Sequence, residues 1–315
     1  MFESAEHTLN ALSDVGYITD IETATTVYLG AKLHKPLLLE GPAGSGKTEL
    51  SMAVARAAKT HVERLQCYEG ISEDKAIGKF DESLQRLYVD IAARNGERQD
   101  WAALGKELTR LDFFSAGPLL KALLSERPCV LLIDELDKVD HAFEATLLEI
   151  LSVWALSIPR LGVVSAKSIP FTVITSNQER RLGDPLRRRS FYLRIEYPTA
   201  EREGEIVARR TPEAAESTHR LIAGFAKALR AYSLEKPPSV SEMIDIALAL
   251  GHLGITEVTN DHRDMLLPLI AKTEKDRQRL LLRDGFSSIM HAAKHFAAGM
   301  QAAEADATLA QMVAA

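Results

Sequence analysis

Only two cysteines, Cys67 and Cys129, occur in 315 residues. No disulfide framework can hold such a chain together, and both cysteines lie in stretches that read as buried strands. The expected environment is a reducing cytosol. No apolar run approaches the roughly 20 residues that span a bilayer. The opening MFESAEHTLN carries acids where an export signal carries basic residues, so the chain is expected to be soluble and cytoplasmic. An excess of positive charge is lacking too. The formal net charge is −6, the wrong sign for a protein that coats nucleic acid or anionic lipid. Low-complexity sequence is confined to the alanine-rich stretch 297–315, which is expected to fray. What remains is an ordinary globular composition, with 46% hydrophobic and 26% charged residues.

Five short β-type runs recur between helical stretches: PLLLE at 36–40, HVERLQC at 61–67, CVLLID at 129–134, FTVITSN at 171–177 and FYLRIEY at 191–197. That alternation predicts an α/β fold with a five-stranded parallel sheet between helices. Phe143, Leu147, Ile150, Leu151 and Trp154 form one stripe of an amphipathic helix. After Tyr197-Pro198 the strand signals stop, which predicts a core over 1–199 and a smaller all-helical domain over 200–315. Two stretches read as additions. Residues 81–111 repeat apolar positions at helical spacing (Leu84, Leu87, Ile91, then Trp101, Leu104, Leu108, Leu111) around the polar break Asn95-Gly96. Residues 155–170 are β-branched around Gly162 and predict a hairpin.

Gly41-Pro42-Ala43-Gly44-Ser45-Gly46-Lys47-Thr48 matches G-x-x-x-x-G-K-[ST] between a strand and a helix. Glycines let successive backbone N–H groups turn inward around a phosphate, and the following helix adds its positive end. Lys47 is placed to reach the β- and γ-phosphates and Thr48 to ligate Mg²⁺. Glu49, the next residue, joins the cofactor-binding set. CVLLIDE supplies the second strand such a site needs. Asp134 at its end is expected to hold Mg²⁺, directly or through water, and Glu135 to polarise the water attacking the γ-phosphate. Asp137 and Asp140 read as solvated or helix-capping acids outside the site. No N-K-x-D element for guanine occurs, so the expected nucleotide is ATP. A water-activating acid beside the metal acid points to hydrolysis rather than transfer to a metabolite.

GPAGSGKT, LLIDELDK, ITSN and DPLRRRSF, in that order, resemble an AAA+ ATPase. The wider stretches LLLEGPAGSGKTEL, RLQCYEG, GPLLKALLSERPCVLLIDE, ITSNQERRLGDPLRRRSFYL and KPPSVSEMID are similar to the MoxR family, in the branch associated with carbon monoxide dehydrogenase maturation. The resemblance covers about residues 17–250. It implies an AAA+ core with a helical lid, and a homo-oligomeric ring, hexameric by expectation. It further implies a von Willebrand factor A domain adaptor and a client metalloenzyme that is remodelled or loaded with its metallocofactor. Asn177 matches the sensor-1 position, whose polar side chain helps orient the attacking water. Six arginines crowd residues 180–194. By resemblance Arg189, or failing it Arg188, reaches into the neighbouring subunit's ATP site, where its charge offsets that of the transferred phosphoryl group. For Arg180, Arg181, Arg187 and Arg194 a solvated or salt-bridged face is the expectation.

One departure stands out. Where the family's lid carries a sensor-2 arginine, this chain reads Pro237-Pro238-Ser239-Val240-Ser241-Glu242, and Ser239 with Glu242 predicts a helix capping box instead. His291 and His295, at i and i+4, lack both a catalytic acid and a third ligand and read as helix-surface residues. The inserts 81–111 and 155–170 are the expected contacts to adaptor or client, since loops on a rigid scaffold carry variable partners. A DNA-directed AAA+ motor using the arginines on phosphates is the competing reading, against which stand the net acidity and the lack of interleaved aromatics.

Overall fold

The computed structural model describes residues 1–94, 100–214, 216–232, 234–255, 258–282 and 285–298. The break Asn95-Gly96 and nearly all of the alanine-rich end lie outside these. The described chain divides into two compact units: Met1–Val15, Thr19–Gly41 and Lys47–Arg194 in the first, Gly16–Ile18, Pro42–Gly46 and the residues from Ile195 onward in the second.

In the first unit α1 (Ala5–Asp14) and α2 (Ile21–Leu33) precede β1 (Leu37–Glu40), α3 (Lys47–Ala57), β2 (Val62–Gln66) and α4 (Glu73–Ala76). Then come β3 (Gly78–Phe80), α5 (Glu82–Arg94), α6 (Trp101–Leu108), β4 (Phe114–Ala116) and α7 (Pro118–Leu124). β5 (Val130–Asp134), α8 (His141–Val153), β6 (Ala155–Ile158), β7 (Gly162–Ser165), β8 (Phe171–Ser176), α9 (Asp184–Arg189) and β9 (Phe191–Arg194) complete it. Five strands form one parallel sheet in the order β2-β5-β8-β1-β9. β1, β5 and β8 are buried at every position, which is why they read as apolar runs rather than alternating ones. Register sets Gln66 opposite Asp134 and Glu40 opposite Ser176. The carboxyl ends of four strands therefore share one edge, the place where open α/β sheets bind ligands.

α8 shows how the surrounding helices are specified. The Asp140 side chain accepts from Phe143 N at 2.8 Å, which caps the start. Phe143, Leu147, Ile150 and Leu151 are buried, and the helix closes at Trp154 in the left-handed conformation. Truncating fully buried Leu147 to alanine would cost about 2–5 kcal/mol. β6 and β7 pair antiparallel, forming the hairpin predicted over 155–170.

The helical addition differs from expectation in how its apolar stripe is used. α5 and α6 form as predicted, between β3 and β4, which pair with each other as an antiparallel stem. Gly78 holds that stem together with φ +119°, and a Cβ there would stand 2.3 Å from Ser115 O. Yet Leu84, Leu87 and Ile91 are exposed, and Trp101 is 84% exposed. Helical periodicity stated which residues share a face, and among the described residues that face stays exposed.

The second unit contains α10 (Ala200–Arg210), α11 (Glu216–Ala231), α12 (Val240–His252), α13 (Arg263–Ile270), α14 (Glu274–Leu281) and α15 (Gly285–Ala297). Ile222, Phe225, Leu229, Met243, Ile246 and Phe286 are among the residues of its core. The capping box is present: Ser239 Oγ accepts from Glu242 N at 3.3 Å, and Glu242 Oε2 accepts from Ser239 N at 2.7 Å. No helix among the described residues is long and apolar enough to cross a membrane.

Candidate active site

α3 opens at Lys47, directly after the glycine-rich loop. Gly44 and Gly46 have φ of +74° and +97°, a region glycine enters without steric cost. Within the second unit, Tyr197 Oη donates to Ala43 O at 2.9 Å. A Cβ on Gly44 would stand 2.1 Å from Ser239 Cβ. Tyr197 lies under the Arg230 guanidinium, 4.3 Å from its ring centre, and Arg230 grips buried Glu203 through two hydrogen bonds. The Ser45 hydroxyl is buried and has no hydrogen-bond partner, an orphan donor of the kind a phosphate oxygen satisfies.

Within the first unit, Lys47 is buried and its Nζ donates to Gly41 O at 2.8 Å. Burial lowers its pKa, opposed by the negative field of Asp137, then Asp134 and Glu135. Thr48 Oγ1 lies 3.0 Å from Asp134 Oδ1 and 3.4 Å from Oδ2. A hydroxyl and a buried carboxylate in contact are hard oxygen donors, the set that suits Mg²⁺. Thr175 Oγ1 donates to the same Oδ1 at 2.6 Å, and Arg64 Nη2 donates to Oδ2 at 2.6 Å.

Glu135 sits in the left-handed region at φ +58°, a conformation a non-glycine residue keeps only where its surroundings enforce it. Its backbone N–H donates to Thr175 Oγ1 at 2.8 Å. Its carboxylate accepts from Gln66 Nε2 at 3.1 Å on one oxygen and from Asn177 Nδ2 at 3.4 Å on the other. Glu135 and Asn177 are thus brought together. Glu49 instead faces Arg56, 2.7 Å away along α3.

Asp137 corrects the sequence reading. It is buried, not solvated, and caps no α-helix. Its Oδ2 accepts from Asn177 N at 3.2 Å and Glu179 N at 3.0 Å, so it pins the backbone that carries Asn177, while Oδ1 has no partner. Asp140 is a helix cap, as read. Arg64, Gln66 and Thr175 were missed altogether. Arg64 and Gln66 alternate along VERLQC, the one local hint that both face the same side, but only strand order sets β2 beside β5, with Gln66 opposite Asp134. Cys67 follows β2 as a buried free thiol. Burial, with Asp134 adding, pushes its pKa up to about 12, so it is unreactive.

The arginines disperse. Arg180 pairs with buried Glu144, Arg181 with Asp184 and Arg187 with buried Glu40, and Arg194 donates to Gln178 Oε1. Arg188 is exposed. Arg189 is exposed as well and donates to Leu148 O at 3.1 Å and to the Ser152 hydroxyl, on the last turns of α8. His291 and His295 face each other on α15 with Nε2 atoms 3.2 Å apart. Among the described residues no group of three or more His, Cys, Asp or Glu forms a metal cluster.

Residues 36–190 match the family model of the AAA domain, dynein-related subfamily. This segment is similar to that domain, and the five-stranded sheet with its flanking helices is the AAA+ P-loop fold, followed by a helical C-terminal portion. Among the solved structures that resemble the chain are two RuvB mutants from Thermotoga maritima. One is 15% identical with a TM-score of 0.43, covering 84% of this chain and 77% of that one. The other is 15% identical with a TM-score of 0.47, covering 87% and 74%. No curated protein sequence matches the chain.

Proposed function

We propose that this AAA domain hydrolyses ATP and drives a MoxR-type ring motor, in which the helices from Ala200 onward serve as the lid. The observation that carries the reading is the contact between Thr48 Oγ1 and the Asp134 carboxylate, with Glu135 and Asn177 adjoining it. It joins the helix after the glycine-rich loop to the acid-bearing strand, as phosphoryl chemistry requires.

Backbone N–H groups of 42–46 would hold the phosphates, and the Lys47 ammonium would set its charge against the β/γ oxygens. Thr48 and Asp134 would hold Mg²⁺, which supplies charge neutralisation on the phosphates when bound. Glu135 takes the proton of the attacking water, and Asn177 fixes the carboxylate that receives it. Asp137 acts through the Asn177 backbone and is a positioning residue. Arg189, or Arg188, would serve the neighbouring subunit of a homo-hexamer. The exposed α5 stripe and the β6–β7 hairpin are offered to a von Willebrand factor A domain adaptor or to a client metalloenzyme of the carbon monoxide dehydrogenase kind.

Replacing Glu135 with glutamine tests the chemistry. The variant should bind ATP normally and hydrolyse it about 100-fold more slowly, the scale of losing a positioned acid–base group. Near-normal turnover in a phosphate-release assay would move the water-activating role elsewhere. DNA binding that weakens steeply with salt would instead favour a DNA-directed motor. The pairing of Arg180, Arg181 and Arg187 with acids of this chain argues against it.

A further inference from the structure

Asp134 is placed for a metal, yet its Oδ2 already has a cation. Arg64 Nη2 donates to that oxygen at 2.6 Å and also to Gln66 Oε1 at 2.5 Å. The two partners differ in surroundings: the Asp134 side chain is 4% exposed, whereas that of Arg64 is 47% exposed. A buried carboxylate is costly to leave without a counter-charge. A half-exposed guanidinium on a flexible stem gives up an ion pair at little cost, because water replaces the partner. The Asp134 carboxylate is otherwise engaged by Thr48 and Thr175, both hydroxyl donors that carry no charge.

We infer that Arg64 is the counter-cation of the metal-free site: it neutralises Asp134 until Mg²⁺ arrives and yields Oδ2 to the metal. This rests on the reading of Asp134 as a metal-holding residue. Arg64 is then a residue that sets metal affinity, not a catalytic one. Full neutralisation by both cations is redundant, so each weakens the hold of the other. The coupling is reciprocal and is readable from nucleotide binding alone.

The test uses ADP as the probe and compares its dissociation constant in EDTA with that in MgCl₂, by calorimetry, for the full chain and its variants. In Arg64→Ala the ratio of the two constants should rise about tenfold over the unmodified protein, within the usual range of such couplings. Arg64→Lys, which keeps a cation beside Asp134, should return the ratio toward the unmodified value and guards against a folding defect in the alanine variant. An unchanged or smaller ratio in Arg64→Ala, with Arg64→Lys also unchanged, makes Arg64 a structural pin and overturns the inference. Asp134→Asn separates the two levels. If it abolishes the Mg²⁺ effect while Arg64→Ala does not alter it, only the inference fails. If Asp134→Asn keeps the full Mg²⁺ effect, the metal reading fails and the inference with it.

Discussion

The acids at the carboxyl edge of the sheet and the arginines of 180–194 are both dense in sequence, and the fold treats them in opposite ways. Asp134, Glu135 and Asp137 converge: they share Thr175, Asn177 and the field at Lys47. The arginines diverge: Arg180 and Arg189 reach α8, Arg187 the end of β1, Arg181 the nearby Asp184 and Arg194 the Gln178 side chain. Strand ends in a parallel sheet lie side by side, so acids placed there meet. A loop and a short helix turn successive side chains in different directions, so density along the chain becomes dispersal in space.

The sharpest way to break this contrast is Arg189. If its charge acts on a neighbour's transition state, Arg189→Ala should leave ATP binding intact and cut hydrolysis about 10³-fold. Mixing that variant with Glu135→Gln subunits should restore part of the activity, because an interface with both native residues still forms. A loss confined to thermal stability, with turnover preserved, would reduce Arg189 to its bonds with α8.

Next in size is Glu144, which accepts from Arg180 Nη2 and from Gly183 N at 2.6 Å. Glu144→Ala leaves both donors without their buried acceptor and should cost about 3 kcal/mol in urea unfolding, at the low end for broken buried pairs because Arg180 keeps partial access to water. A cost below about 1 kcal/mol would mean that the loop does not depend on this anchor.

Lys47 offers a pH test on the converging side. Folding lowers its pKa, so between that lowered value and the ordinary one near 10.4 the unfolded chain binds more protons. The burial penalty is therefore complete below the lowered pKa and is relieved as pH rises, and stability gains with pH in that window. Phosphate has the reverse linkage because it favours the charged amine. ADP affinity should fall as pH climbs through the lowered pKa, before the ordinary lysine range, with proton uptake visible in buffers of different ionisation enthalpy. Lys47→Arg should remove that fall.

The smallest effect belongs to Arg181, whose pair with Asp184 is exposed on both sides. Arg181→Ala should change stability by less than about 0.5 kcal/mol and leave turnover unaltered. A larger loss of activity would give this arginine a partner outside its own subunit.

Local sequence alone determined whatever depends on neighbours along the chain. The glycine-rich loop before Lys47, the acid pair ending β5, the Ser239–Glu242 cap and the stripe of α8 are all set by spacings of a few residues, where backbone geometry leaves little choice. Tertiary structure decided what depends on strand order and burial. Pairing β2 with β5 brought Arg64 and Gln66 onto Asp134 and Glu135, and burial turned Asp137 from an apparent surface acid into the anchor of Asn177. The stripe Leu84, Leu87 and Ile91 was legible as one helix face, but its exposure was not. Periodicity records which side chains point together, whereas what lies opposite them is set by long-range packing that no local spacing encodes.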